Sequence, residues 1–323
     1  MRTPSWAALA VVVTGLSLVG CQARSESRGA GPSATEVGQV SLKTTPGPQP
    51  EGRFYAVIRS GGPNDDQLYE LRFSPPKVRV ASPTKRVSSV GACQERVFVA
   101  AAQEEVGFTD HLQELRGERL VALDGLGPVP ALSPAVSRDC RVAYTFVDRS
   151  GPELVSELRV WDPAQRVGKA LYRTHPGDGL LLGTAWGPDG QVAALRLPPD
   201  RADSPTGNPS DGRPAMIVVV RADGSTSEVN PGTPDPVGLA WGRNTVAVGD
   251  GEAKTILIEP ETGKRMTIEG WRPLVWSPKE DVLLLKDSAT GQSLGLLDAK
   301  GPSSVKEVGR LTGSVFDVDW LPE

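Results

Sequence analysis

Histidine and cysteine are almost missing from this chain, at 2 and 3 among 323 residues. So few leave little material for a His-based catalytic machine or a zinc cluster. Aromatic residues are also sparse, at 5%. No charge of one sign dominates: 39 acids face 35 bases for a formal net charge of −4, which argues against a surface that coats nucleic acid. A Walker-type glycine loop, C-x-x-C and an S-x-D-x-G-x-T-W box of the sialidase type are absent, and no EF-hand spacing occurs. Carboxylates are numerous but fall mostly in turns, and none forms a pair diagnostic of glycoside hydrolysis. At 38% hydrophobic residues, the chain is too apolar to be disordered and too polar for a multi-span membrane protein.

What is abundant is glycine and proline, 36 and 29 residues, about a fifth of the chain against the usual share of roughly an eighth. Both interrupt helix interiors, so many short elements joined by turns are expected rather than long helices.

Three segments follow one another. Arg2 gives the N-terminus a positive start, and Trp6 to Val19 is almost wholly apolar. Such a run is short for a bilayer but suits a secretory signal. It ends in Leu18-Val19-Gly20-Cys21, which resembles the bacterial lipobox. That resemblance implies cleavage after residue 20 and acyl chains on Cys21, more than one being needed for stable anchoring. Residues 21–52 read as a flexible tether: 16 of the 31 residues from 22 to 52 are Gly, Pro, Ser or Thr, without apolar periodicity. As a coil the tether reaches on the order of 30 Å. The expected location is therefore extracytoplasmic, lipid-anchored to the cell membrane or the outer membrane.

Residues 53–323 repeat themselves. The stretches 90–102, 134–146, 184–196, 239–251 and 274–286 share one shape, an apolar stretch, a tight polar turn and a second apolar stretch. Trp186, Trp241, Trp276 and Trp320 occupy one equivalent post, which points to a repeated packing site. A third pattern ending near an acid follows at 118–125, 157–163, 215–224, 255–263 and 293–301, often with a more polar fourth stretch behind it. Four strands per unit of roughly 40–45 residues mark a propeller blade. The ends complete the count. Residues 53–59, 67–73 and 77–83 supply a blade lacking its first strand, and 315–320 supply a first strand lacking the rest. The expected fold is all-β, a six-bladed β-propeller of four-stranded blades closed by N-terminal strands pairing with the C-terminal strand.

The hairpins at 186–190 and 276–280 resemble the repeats of TolB-like six-bladed propellers, and Val160-Trp161-Asp162 is similar to the end of a WD-repeat third strand. The histidine-centred network of true WD-repeats has no counterpart here. The resemblance implies a propeller used mainly as a binding platform, although fold analogy alone does not supply function.

Candidate ligand-rim residues lie in the loops 60–66, 103–117 and 198–214, predicted to share one face: Asp65, Asp66, Glu104, Glu105, Asp110, Asp200, Asp203 and Asp211. They could form a calcium-binding crown or be ordinary solvated carboxylates. His111 and His175 fall in loops assigned to the same rim, where isolated histidines are ordinarily plain exposed side chains. With Cys21 used for lipid, Cys93 and Cys140 remain, both in first-to-second-strand turns of consecutive blades. The exported compartment permits a disulfide between them, but spacing leaves a bridge and two free thiols equally open.

The expected function is a non-catalytic, monomeric, membrane-anchored platform for a protein or envelope polymer, with no nucleic-acid partner and no cofactor. The alternative is a propeller hydrolase or lactonase with a metal at the channel mouth. A Cys21→Ala variant should leave the membrane fraction, and the wild type should carry a lipid adduct on its mature N-terminal peptide by mass spectrometry. Unchanged retention with no adduct rules out the anchor.

Overall fold

The computed structural model describes residues 40–62, 64–102, 110–126, 130–148, 155–198, 214–300 and 304–322. Six antiparallel sheets make up these residues, and each is one blade. Blade 1 runs outward from β25 (Ser314–Leu321) through β2 (Arg53–Arg59) and β3 (Asp66–Phe73) to β4 (Pro76–Lys85). Blade 2 contains β5 (Val87–Cys93), β6 (Arg96–Ala102), β7 (Asp110–Arg116) and β8 (Arg119–Ala122). Blade 3 contains β9 (Leu132–Val136), β10 (Val142–Asp148), β11 (Val155–Asp162) and β12 (Val167–Arg173). Blade 4 contains β13 (Leu180–Trp186), β14 (Val192–Leu197), β15 (Met216–Val220) and β16 (Thr226–Val229). Blade 5 contains β17 (Pro236–Trp241), β18 (Val246–Asp250), β19 (Lys254–Ile258) and β20 (Arg265–Glu269). Blade 6 contains β21 (Trp271–Trp276), β22 (Val282–Asp287), β23 (Ser293–Asp298) and β24 (Lys306–Leu311). The innermost strands touch in the cyclic order β25, β5, β9, β13, β17, β21 and back to β25. The chain is a six-bladed β-propeller.

Burial explains the sequence pattern. Second strands are sandwiched between neighbouring blades, so both faces are apolar; in β6 every residue from Val97 to Ala101 is buried. Outer strands face water and read polar, as in β12. The core is six separate clusters, one in each blade-to-blade interface. Closure is as the ends of the chain indicate: β25 pairs antiparallel with β2, with Phe54 opposite Trp320. This pairing hides two strand edges at once.

Two readings of the sequence need correction. Residues 40–52, assigned by composition to the tether, are part of the folded body. A short strand β1 (Leu42–Thr44) adds to the outer edge of β24, and Val40 is buried in the cluster between blades 6 and 1. Composition concealed this, because backbone pairing with an existing edge needs little apolar sequence. The third strand of blade 2 is β7 and not the stretch 118–125, whose residues 119–122 form the outer strand β8. The disguise is polar: β7 buries His111, Gln113 and Glu114. Gln113 donates to the Ala101 carbonyl, and Glu114 takes Arg96 at 2.6 Å, so polar residues occupy positions that normally signal a strand by being apolar.

The tryptophan post is a packing device between blades. Trp241 lies on Gly187 of the preceding blade's turn, and Trp276 lies on Gly242. Trp186 instead donates its indole N–H to the Ala135 carbonyl at 2.9 Å, again reaching the preceding blade. A Cβ placed on Gly187 would stand 2.5 Å from the Trp241 ring. Gly187→Ala should therefore destabilise the domain by about 1–3 kcal/mol through overpacking. Gly62→Ala, where a Cβ meets nothing within 4 Å, should be nearly silent. Urea unfolding of both variants decides the matter, and equal effects would exclude the tryptophan–glycine contact as a determinant of stability.

Candidate binding channel

The inner strands enclose an axial channel of about 900 Å³. Its wall is irregular for a stated reason: all six inner strands have a register irregularity against their second strands. A bulge leaves a residue unpaired and bends the strand. The displaced residues Ser88, Ser133, Gly183, Gly238, Leu274 and Phe316 all line the channel. Four of these are Ser or Gly. Of the other two, Leu274 is buried in the cluster between blades 6 and 1, while Phe316 is 42% exposed, with the Arg59 guanidinium 4.3 Å from its ring centre.

Two carboxylates face the channel from the closing strand. Asp317 accepts the Val90 N–H at 2.9 Å, and Asp319 accepts the Ala92 N–H, both on β5 of the next blade. The second oxygen of each takes a neighbouring N–H, of Val318 and Trp320. Burial against these strand edges pushes Asp317 up to about 6 and Asp319 up to about 7, although four backbone N–H groups oppose the shift. On the other side of β25, Lys286 donates to the carbonyls of Val315 and Phe316 at 2.6 and 3.1 Å. Burial lowers the Lys286 ammonium to about 8 against the pull of Asp317. The closing strand is thus stitched to both neighbours, by carboxylates toward blade 2 and by an ammonium toward blade 6.

The rim residues that the structure describes are paired locally or lie apart from one another. Asp65 is paired with Lys85 at 2.5 Å and Asp66 with Arg59 at 2.8 Å, so both charges are neutralised locally. Asp110 opens β7, and its carbonyl accepts the Ala131 N–H. His111 is not a loop residue: it sits in β7 at 2% exposure, with neither ring nitrogen hydrogen-bonded among the described residues. His175 is exposed in the turn after β12, where its backbone N–H donates to Asp178. Asp203, Glu104, Glu105, Asp200, Asp211 and the proposed lipid site Cys21 lie outside the described residues. Among the described residues no group of three or more His, Cys, Asp or Glu converges to hold a metal.

Cys93 and Cys140 are bonded in the structure, with Cα atoms 5.4 Å apart across 47 sequence steps. Both are buried between blades 2 and 3. A loop of this length corresponds to about 3–4 kcal/mol of chain-entropy stabilisation. One motif escaped the reading of the sequence. Gly291-Gln292-Ser293-Leu294-Gly295 spells the G-x-S-x-G of hydrolases. Ser293 opens strand β23, its N–H held by Asp287 at 2.7 Å. There is no strand-to-helix elbow at this point, and the only two histidines belong to blades 2 and 3. The spelling is incidental.

No family model matches the chain, and no curated protein matches it. Solved structures do. The crystal structure of TolB from Acinetobacter baumannii aligns with a TM-score of 0.61 at 15% identity, over 84% of this chain and 67% of that one. The fold is that of a TolB-like propeller. The tricorn protease aligns at 0.51 and 15% identity over 81% of this chain but only 30% of its own. With 755 solved chains matching, the likeness identifies an architecture and not a partner.

A pH dependence follows for this TolB-like propeller. Asp317 and Asp319 hold protons in the folded state that they release near 3.8 when unfolded. Their contribution to stability is therefore full below about pH 4 and is lost as pH rises through 6 and 7. In Asp317→Asn/Asp319→Asn, the melting temperature relative to wild type should rise between pH 4.5 and pH 7.5. A difference that stays constant over that range would refute the buried-carboxylate account.

Proposed function

We propose that this protein is a lipid-anchored, extracytoplasmic binding platform without catalytic activity. Its channel takes an extended segment of a partner protein or an envelope polymer. The observation that carries this reading is the character of the channel wall. The bulges present mostly Ser and Gly, which leave room for a guest, and one exposed aromatic, Phe316, which offers a contact surface of the type enriched at interfaces. The channel's carboxylates Asp317 and Asp319 have both oxygens occupied by backbone N–H groups. That occupancy disfavours the alternative of a metal-dependent hydrolase or lactonase, which needs free oxygens converging at the mouth. The lipobox-like Leu18-Val19-Gly20-Cys21 supports the anchored location. The TolB-like fold is compatible with a platform role.

A photo-crosslinking amino acid at Phe316, compared with one at the exposed outer-strand residue Val80, tests the assignment in intact cells. A discrete adduct from position 316 and none from 80 is expected. Identical adducts from both positions, or none from the channel, would remove the channel from the binding surface.

A further inference from the structure

Blades 3 and 6 stand opposite each other in the ring, since β9 and β21 are separated by two inner strands in either direction. No two blades are farther apart, yet a direct contact joins them. Arg138, in the turn between β9 and β10, places one guanidinium nitrogen 2.6 Å from Glu280 Oε1 and 3.2 Å from the Pro278 carbonyl. Glu280 lies in the turn between β21 and β22. Both residues line the channel. An ion pair between opposite blades has to cross the axis, so these two side chains span the mouth on the face formed by the first-to-second-strand turns.

Both supports are stiff. In the Arg138 turn, the Ser137 hydroxyl donates to Asp139 and accepts the Arg141 N–H, while the Arg141 guanidinium holds Asp139 at 2.8 Å. The disulfide at Cys140 then ties that turn to blade 2. In the Glu280 turn, the Ser277 hydroxyl donates to Asp281 at 2.7 Å and accepts the N–H groups of Asp281 and Val282. Only the two side chains are free to swing. The Arg138 side chain is 78% exposed and that of Glu280 26%. An ion pair this wet holds weakly and is screened by salt.

We propose that Arg138 and Glu280 form a displaceable strap that closes one end of the channel. A guest opens it by supplying a cationic group to Glu280 or an anionic group to Arg138. The strap regulates the channel named above as the binding site and rests on that reading. It bridges the mouth without fusing the blades, because neither backbone has to move when it parts.

The test uses no partner. In the full chain with the Cys93–Cys140 bond intact, a cysteine is introduced at Leu239, which lines the channel, and its reaction rate with N-ethylmaleimide is measured. A second series carries the cysteine at Val275, in case the first perturbs packing. Arg138→Ala and Glu280→Ala should each speed labelling by up to about fivefold, the weight of an exposed ion pair. The double variant should gain no more than either single. The exchanged pair, Arg138→Glu with Glu280→Arg, should return the rate to that of wild type. Added salt should accelerate wild type and leave Arg138→Ala unchanged. Equal rates in wild type and Arg138→Ala at both sites, or an exchanged pair as fast as the singles, would overturn the strap. Such a result leaves the crosslinking assay untouched, so a failed strap and a failed binding channel are told apart.

Discussion

Everything in this molecule depends on how the ring is closed. β25 supplies the inner strand of a blade whose other three strands come from the opposite end of the described body. Without it β2 would be an open edge, and the clusters joining blade 1 to both of its neighbours would lose Val315, Val318 and Leu321. The closure is reinforced sideways. Lys286 holds carbonyls of β25 from blade 6, and Asp317 and Asp319 hold backbone N–H groups of blade 2. β1 adds a further fastening at the same seam, with reciprocal bonds between Ser41 and Thr312.

The carboxylates of Asp317 and Asp319 in the channel wall are thus used for construction. Perturbed carboxylates in a cavity ordinarily point to chemistry. Here the perturbation has another origin: the innermost edge of each blade leaves backbone groups unpaired, and buried groups of this kind need partners. In blade 1 the partners are carboxylates. In blade 4 the same service comes from Thr184, which donates to the Ser133 carbonyl, and from Trp186, which donates to the Ala135 carbonyl. Both pairs lie two residues apart on an inner strand, but the direction is reversed: the carboxylates of β25 accept from the following blade, whereas Thr184 and Trp186 donate to the preceding one. Such a pattern belongs to blade assembly. It leaves Phe316 and the turn-face ion pair as the wall features whose positions are not accounted for by holding blades together.

Much of this was legible in the residues. Second strands such as 97–101 and 283–285 are continuous apolar runs because they are buried on both faces. The glycine of Trp-Gly at 186–187 and 241–242 recurs because each lies against the indole of the following blade, Trp241 and Trp276. The third strand of blade 2 was illegible, because Gln113 and Glu114 are buried with partners that lie elsewhere in the chain. The same holds for β1, whose register is set by the edge of β24 more than 260 residues away.

By itself the sequence determined the blade count, the closing pair of ends and the turns between first and second strands. These depend on local periodicity and turn chemistry, which any stretch of chain states about itself. It also placed Asp317 and Asp319 on an inner strand and made Cys93 and Cys140 available to each other. Only the tertiary structure decided what those groups meet. The carboxylates became strand fasteners, His111 went into the core, and Asp65 and Asp66 were neutralised by Lys85 and Arg59. Arg138 and Glu280, 142 residues apart, became neighbours because a ring of six places the third blade opposite the sixth. The physical reason is the same throughout: periodicity is a property of neighbours along the chain, whereas charge pairing and burial are properties of neighbours in space.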